Sequence, residues 1–300
     1  MNPFVIKIIP LILSFFLGII FKWLRLLSKD DAPVLLRLVL TITLPALTIL
    51  SIYRAQLSAD MLLIPLSAML VVFCMYGISS LAGNVLKLPK TTFGSFLVGT
   101  MIMNTSYALP FFLARYGNDG FVRASLFDMG NTFLIFTFTY YNAIKFGDNS
   151  KSDKVDWSKF LRLPPLWAMI LAFIIKGVRL PLPQVSISFL ELVGNPTAPL
   201  IMIALGLYFE PQLKHMSKAL VAIFIRMGLG LCLGLILSAI FGLEGITRTV
   251  VIVTSATPIG FNTLIFANLE NMDREFAATM VSISILIALF YLPFLIYVFG

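Results

Sequence analysis

Apolar stretches long enough to cross a bilayer recur along the whole chain, each closed by a short link carrying polar or basic residues. About 20 apolar helical residues span the hydrocarbon core. On that measure the pattern predicts ten crossings, at roughly 3–21, 32–53, 61–85, 92–114, 120–144, 164–182, 187–209, 217–241, 246–268 and 275–298. The longest polar link, Lys145 to Arg162, falls at the centre of the sequence.

Two crossings carry residues that an uninterrupted membrane helix avoids. Asn104-Thr105-Ser106-Tyr107-Ala108-Leu109-Pro110 lies midway along crossing 4, and Thr254-Ser255-Ala256-Thr257-Pro258-Ile259-Gly260-Phe261-Asn262 midway along crossing 9. Proline has no backbone N–H, so Pro110 is expected to free the carbonyl of Ser106 and Pro258 that of Thr254. An unpaired carbonyl costs several kcal/mol in hydrocarbon, so such a break survives only inside protein or beside a watery cavity. Two breaks at corresponding places in the two halves of one chain point to the binding site of a transporter.

Composition agrees with the pattern. Of the 300 residues 59% are hydrophobic and only 12% charged, about half the charged share of an average soluble domain. The net charge of +8 would suggest nucleic acid as the partner of a soluble protein. Here it follows membrane topology instead, and no nucleic acid is expected. Loops after the odd crossings hold Lys22, Arg25, Lys29, Lys87, Lys90, Lys145, Lys151, Lys154, Lys159, Arg162, Lys214, Lys218 and Arg274, whereas loops after the even crossings hold Arg54, Arg115, Arg123, Lys176, Arg179 and Arg248. Basic loops stay in the cytoplasm, which places both termini on the outer side of the cell (inner) membrane. Cys74 and Cys232 sit inside apolar runs and read as packing residues without a disulfide. His215 is the only histidine, and no metal site is expected. The first apolar run precedes its basic residues, Lys22 and Arg25, the reverse of a signal peptide, so it reads as a mature helix.

The halves match in order. Leu36-x-Leu38-Val39 with Pro45 corresponds to Leu190-x-Leu192-Val193 with Pro199; Ala108-x-Pro110 to Ala256-x-Pro258; Arg123, Met129 and Tyr140 to Arg274, Met280 and Tyr291. Five crossings per copy is an odd number, so the second copy enters the membrane the other way up. The expected fold is therefore an all-α polytopic membrane protein of ten transmembrane helices. They form a 5+5 inverted repeat (1–150 and 151–300) with discontinuous crossover helices 4 and 9.

At these residues the chain resembles the auxin efflux carrier family of membrane transport proteins, in a short, prokaryote-like form. The resemblance rests on Leu44-Pro45-Ala46-Leu47, Asn104 through Leu109-Pro110, Ala198-Pro199-Leu200 with Gly206, Pro258-x-Gly260-x-Asn262, and Val281-Ser282-Ile283-Ser284 with Pro293. It implies the fold shared with bile acid/sodium symporters. In that fold crossings 1, 2, 6 and 7 form a scaffold, and 3–5 with 8–10 form a core that moves elevator-fashion. The central loop is much shorter than in the long plant carriers, so their regulation by loop phosphorylation is not carried over.

Candidate binding residues cluster at the two breaks. Asn104 and Asn262 offer amides that either bind a polar substrate group or join two helices. Half-helices beginning near Pro110 and Pro258 would present unpaired N–H groups and positive dipole ends, which suits a carboxylate. Thr105, Ser106, Thr254, Ser255 and Thr257 add hydroxyls, and Gly260 belongs to the same stretch. Asp128, with Ser125 and Asn131 on its helical face, is the clearest intramembrane acid. It reads as a coupling carboxyl, part of a cation site, or a structural acid bonded to crossing 4 or 10. Arg37 and Glu191 occupy equivalent repeat positions but lie toward opposite membrane surfaces, so no pairing is expected. Arg37 is expected to snorkel, and Glu191 to snorkel or line an outer vestibule. Lys7 and Arg226 either snorkel or face a water-filled path. Gly228, Gly230 and Gly234 are read as close helix packing, and Pro45 and Pro199 as bends in scaffold helices.

These residues suit a secondary or facilitative carrier of a small organic anion, either an auxin-like monocarboxylate or a malate- or malonate-like dicarboxylate. Its partners are that anion and the lipid bilayer, and a homodimer is left open. No cofactor is expected, with coupling to H⁺ or Na⁺ open. A sodium-coupled symporter of the bile-acid type is the nearest alternative, because unwound carbonyls hold Na⁺ well; a channel or a membrane sensor stands further off. There is no H-E-x-x-H, no Gly-x-Ser-x-Gly and no pair of aspartates on facing crossings, so an enzyme is not expected.

Overall fold

The computed structural model describes residues 3–148, 161–210 and 215–300. Lys151, Lys154, Lys159 and Lys214, which enter the charge count, lie outside the described residues, as does the boundary between the two expected repeats. The helices are α1 (Pro3–Trp23), α2 (Ala32–Leu38), α3 (Leu44–Arg54), α4 (Leu63–Val85), α5 (Lys90–Met101), α6 (Thr105–Leu134), α7 (Tyr140–Phe146), α8 (Pro164–Gly177), α9 (Gln184–Gly194), α10 (Thr197–Tyr208), α11 (Met216–Ile223), α12 (Gly230–Ile240), α13 (Gly245–Ser255), α14 (Asn262–Leu269) and α15 (Arg274–Phe299). There is no strand among the described residues. Among the described residues six helical spans are long and apolar enough to cross a membrane.

Several long spans are not pure α-helix. Five- or six-residue π-turns at Val39–Thr43, Ile135–Thr139 and Phe224–Leu229 join α2 to α3, α6 to α7 and α11 to α12. Such turns re-aim side chains within an otherwise continuous helix. The link expected between crossings 4 and 5 is a tight kink: α6 is two helical segments that meet at Gly117 (φ 59°, ψ −143°), a backbone conformation open to glycine. Crossing 6, expected over 164–182, is helical only to Gly177, because Pro181 and Pro183 follow closely. In crossing 7 the interruption falls at Asn195 and Pro196, not at Pro199. Pro199 sits in the first turn of α10, where a helix N–H has no partner anyway. Cys74 and Cys232 are free, as expected, but exposed on the protein surface and not packed inside it.

The chain divides into two compact units, one of residues 1–59, 109–125 and 161–209, the other of 60–108, 126–160 and 210–300. In the first, α1 packs on α10 where two glycines meet, with Gly18 and Gly206 each leaving room for the other's backbone. Helix α3 packs on α8 and α9. Lys22 Nζ donates to the carbonyls of Leu207 (3.0 Å) and Phe209 (2.5 Å), closing the C-terminus of α10. Glu191 pairs with Arg54 at 2.5 Å, and Arg37 is exposed. The absence of an Arg37–Glu191 pair is as the sequence led us to expect.

The second unit is held by close approaches at small residues. Gly130 lies against the backbone of Pro65, and a Cβ on Gly234 would stand 2.8 Å from Ile252 Cα. The glycines of α12 therefore let it lie directly on α13. Gly228 is different, since the atoms nearest to a Cβ there belong to the Phe224 ring of its own span.

Candidate functional site

The two interruptions in the second unit meet. Helix α5 ends at Met101 and α6 begins at Thr105; α13 ends at Ser255 and α14 begins at Asn262. Between them Met103 and Ile259 form an isolated antiparallel bridge. The Asn104 N–H donates to Pro258 O at 2.9 Å, and the Gly260 N–H donates to Ile102 O at 3.2 Å. Each break thus supplies the partner that the other lacks, which answers the cost of an open backbone in an apolar interior. Gly260 is required for this approach because its missing Cβ would fall on the Ile102 side chain.

Side chains from neighbouring helices satisfy further backbone groups at the crossing. Asn131 Nδ2 donates to Met103 O at 2.9 Å. The Ile259 N–H donates to Ser284 Oγ at 3.1 Å. Arg226, wholly buried at 0% exposure, donates through Nη1 to Thr100 O (3.0 Å) and through Nη2 to Ser255 O. The π-turn at Phe224–Leu229 carries Arg226, and Gly230, one turn on, leaves room for both its guanidinium and the Ser255 carbonyl.

The structure corrects the predicted cause of the first break. Pro110 does not start a half-helix: it lies in the second turn of α6, and the interruption precedes it at 102–104. Asn104 is the N-cap, with Oδ1 accepting from the Tyr107 N–H at 3.3 Å, an arrangement that favours helix initiation there. Pro258 does sit inside its break. The two prolines are therefore not equivalent, although the repeat match aligned them. Asn262 is the first residue of α14 and half-buried, whereas Asn104 caps α6 from outside, so the two amides occupy different positions relative to their helices.

The remaining predicted residues divide between the crossing and its flanks. The Thr105 hydroxyl donates to Asp128 Oδ1, and Thr132 Oγ1 donates to the same oxygen at 3.4 Å. Asp128 and Asn131 are therefore both tied to the first break. Ser106 is half-buried, and the Thr257 hydroxyl donates to Thr254 O at 2.7 Å. Ser125, expected on the face of Asp128, turns its hydroxyl back to Phe121 O. Arg226, expected to snorkel or to face a water-filled path, is instead wholly buried against backbone carbonyls, and sequence reasoning left Ser284 without a role. A signal existed for each: an arginine in the middle of an apolar run, and a serine within a motif quoted for the family.

Several buried polar atoms around the crossing have no hydrogen-bond partner among the described residues: Asn104 Nδ2, Asn131 Oδ1, Arg226 Nε, Ser255 Oγ and Thr263 Oγ1. Asn104 is only 5% exposed, and an unpaired buried amide donor costs about 1–3 kcal/mol. Among the described residues no group of His, Cys, Asp and Glu is arranged to hold a metal ion.

An all-helical chain with several membrane-length apolar spans and two interrupted helices joined at their breaks is a polytopic membrane protein of the transporter type. Residues 3–296 match the family described as membrane transport protein, and the chain belongs to that family. It is 28% identical over 295 residues to an uncharacterized transporter of Methanocaldococcus jannaschii, covering 95% of this chain and 94% of that one. It is 27% identical over 296 residues to an uncharacterized transporter of Methanothermobacter thermautotrophicus, covering 96% and 95%.

Proposed function

We propose that the protein carries a small organic anion across the cell membrane by elevator-type alternating access, with the substrate bound at the crossing of 102–104 and 256–261. On this reading the ten crossings form a 5+5 inverted repeat with both termini outside. Crossings 1, 2, 6 and 7 are the scaffold, and 3–5 with 8–10 the moving core. The observation that carries the proposal is the unpartnered Asn104 amide donor, buried beside the N-terminus of α6. A helix N-terminus favours negative charge, and Asn104 adds a donor that nothing among the described residues satisfies. On this reading Thr105, Ser106 and Asn262 complete the polar surface, and Asp128, bonded to Thr105, couples substrate binding to a proton.

A carboxylate fits this chemistry better than a cation does. The carbonyls of Ile102, Met103 and Pro258 already accept hydrogen bonds from Gly260, Asn131 and Asn104. A thermal-shift series of the purified protein against malonate, malate and indole-3-acetate tests the substrate class. Uptake of any stabilising compound into proteoliposomes tests transport. Stabilisation with saturable uptake supports the proposal, whereas ion currents at rates far above carrier turnover would assign a channel instead. Binding without flux would assign a sensor.

A further inference from the structure

Arg226 poses a problem that the substrate reading leaves untouched. A guanidinium wholly removed from solvent normally faces a carboxylate, because an unpaired buried charge is costly. Among the described residues Arg226 has no carboxylate partner; its two hydrogen bonds go to backbone carbonyls, Thr100 O and Ser255 O. Those carbonyls have one thing in common. Thr100 lies in the last turn of α5, which ends at Met101, and Ser255 is the last residue of α13. Terminal carbonyls have no partner within their own helix. Each helix C-terminus carries about half a negative charge, so two of them directed at one point present roughly a full charge, which a single guanidinium balances.

We propose that Arg226 is a built-in cation that holds the crossing closed in the position where a free metal ion would otherwise stand, so that the site is complete without bound sodium. The two half-helices end in the same unit and are joined immediately beyond by the Met103–Ile259 bridge. Without a positive charge between them, two negative helix ends would repel at the place where the bridge must form. A tethered cation meets that need permanently and cannot dissociate during a transport cycle. The π-turn that carries Arg226 and the bare Cα of Gly230 against Ser255 are the backbone features that admit it. Arg226 is a positioning residue on this account, with no contact to substrate required, and the proposal stands or falls separately from the identity of the anion.

The test reads thermal stability of the purified full-length protein in detergent, in sodium chloride and in choline chloride at equal ionic strength. The wild type is expected to show the same Tm in both salts. Arg226→Ala should lose at least about 5 °C in choline chloride, a shift typical of a large single-site loss. It should recover selectively when sodium or methylguanidinium enters the vacated space. Arg226→Lys, which keeps the charge, should stay insensitive to sodium. Selective stabilisation of the wild type by sodium would overturn the proposal, because the cation position would then be unfilled. Loss in Arg226→Ala with no recovery by either cation would overturn it as well. If Arg226→Ala does not fold, the wild-type and Arg226→Lys measurements still decide.

Discussion

The backbone N–H of Asn104 donates to the carbonyl of Pro258 at 2.9 Å. That bond joins two segments far apart in the chain, and with its counterpart from Gly260 to Ile102 it converts two helix breaks into one structure. The same Asn104 caps α6 and leaves its amide nitrogen unpartnered. One residue thus takes part in the bridge, the start of a helix and the proposed contact with substrate.

These roles separate by substitution. Asn104→Ser keeps a capping oxygen for Tyr107 and removes the amide donor. It should fold with a Tm near that of the wild type and lose at least about tenfold in uptake, as expected when a charge-assisted hydrogen bond of roughly 1.5–3 kcal/mol is removed. Asn104→Ala should lose uptake and also about 0.5–2 kcal/mol of stability with the cap. Proteoliposome uptake and thermal melts of both variants measure the difference. Wild-type uptake by the serine variant would remove Asn104 from the site.

Asp128 accepts hydrogen bonds from Thr105 and Thr132. Asn can accept the same bonds but cannot exchange a proton. If Asp128 couples transport, an inward proton gradient should accelerate uptake by the wild type and leave Asp128→Asn unaffected, while exchange of substrate at equal pH persists in both. A variant that still responds to the gradient would return Asp128 to a structural role.

The closeness of the bridge makes Gly260 intolerant of any side chain. Gly260→Ala should destabilise by about 1–3 kcal/mol through overpacking against Ile102. Shortening the obstructing side chain should restore much of that loss, so Gly260→Ala with Ile102→Ala is expected to melt above the sum of the two single effects. Strict additivity in that cycle would contradict the direct contact.

The Arg54–Glu191 pair is short, but each side chain is 40% exposed. Solvent screening limits such a pair to about 1 kcal/mol or less. Glu191→Gln should therefore leave uptake unchanged and move the Tm by no more than about 4 °C. A larger fall would mean that the pair closes the end of α3 against α9 more firmly than its exposure allows.

Much of this was legible in the chain. Apolar runs of membrane length, the helical class, the two interrupted crossings and the cluster from Asn104 to Ser106 follow from the hydrocarbon's demand that every backbone group be satisfied. The shared helical face of Asp128 and Asn131 followed from their spacing, but its contact with the first break did not. Bonding to crossing 4 was one of several readings of Asp128, and Ser125 on the same face turns away. Pro110 shows where this reasoning stops. A proline reports that one N–H is missing but not where the helix ends, and near a helix start that loss costs little. The N-cap chemistry of Asn104 decided the boundary instead.

The sequence by itself determined a membrane-spanning helical protein, its family resemblance and the two breaks, because these depend on local composition and backbone chemistry. Only the tertiary structure decided the register of the crossing, Met103 against Ile259, and the place of Arg226 between the ends of α5 and α13. Hydrogen bonds between distant segments leave no periodic trace in hydropathy. A charge in an apolar run says only that a partner exists. Which carbonyls it meets depends on a π-turn and a glycine that bring two helix ends to the same point.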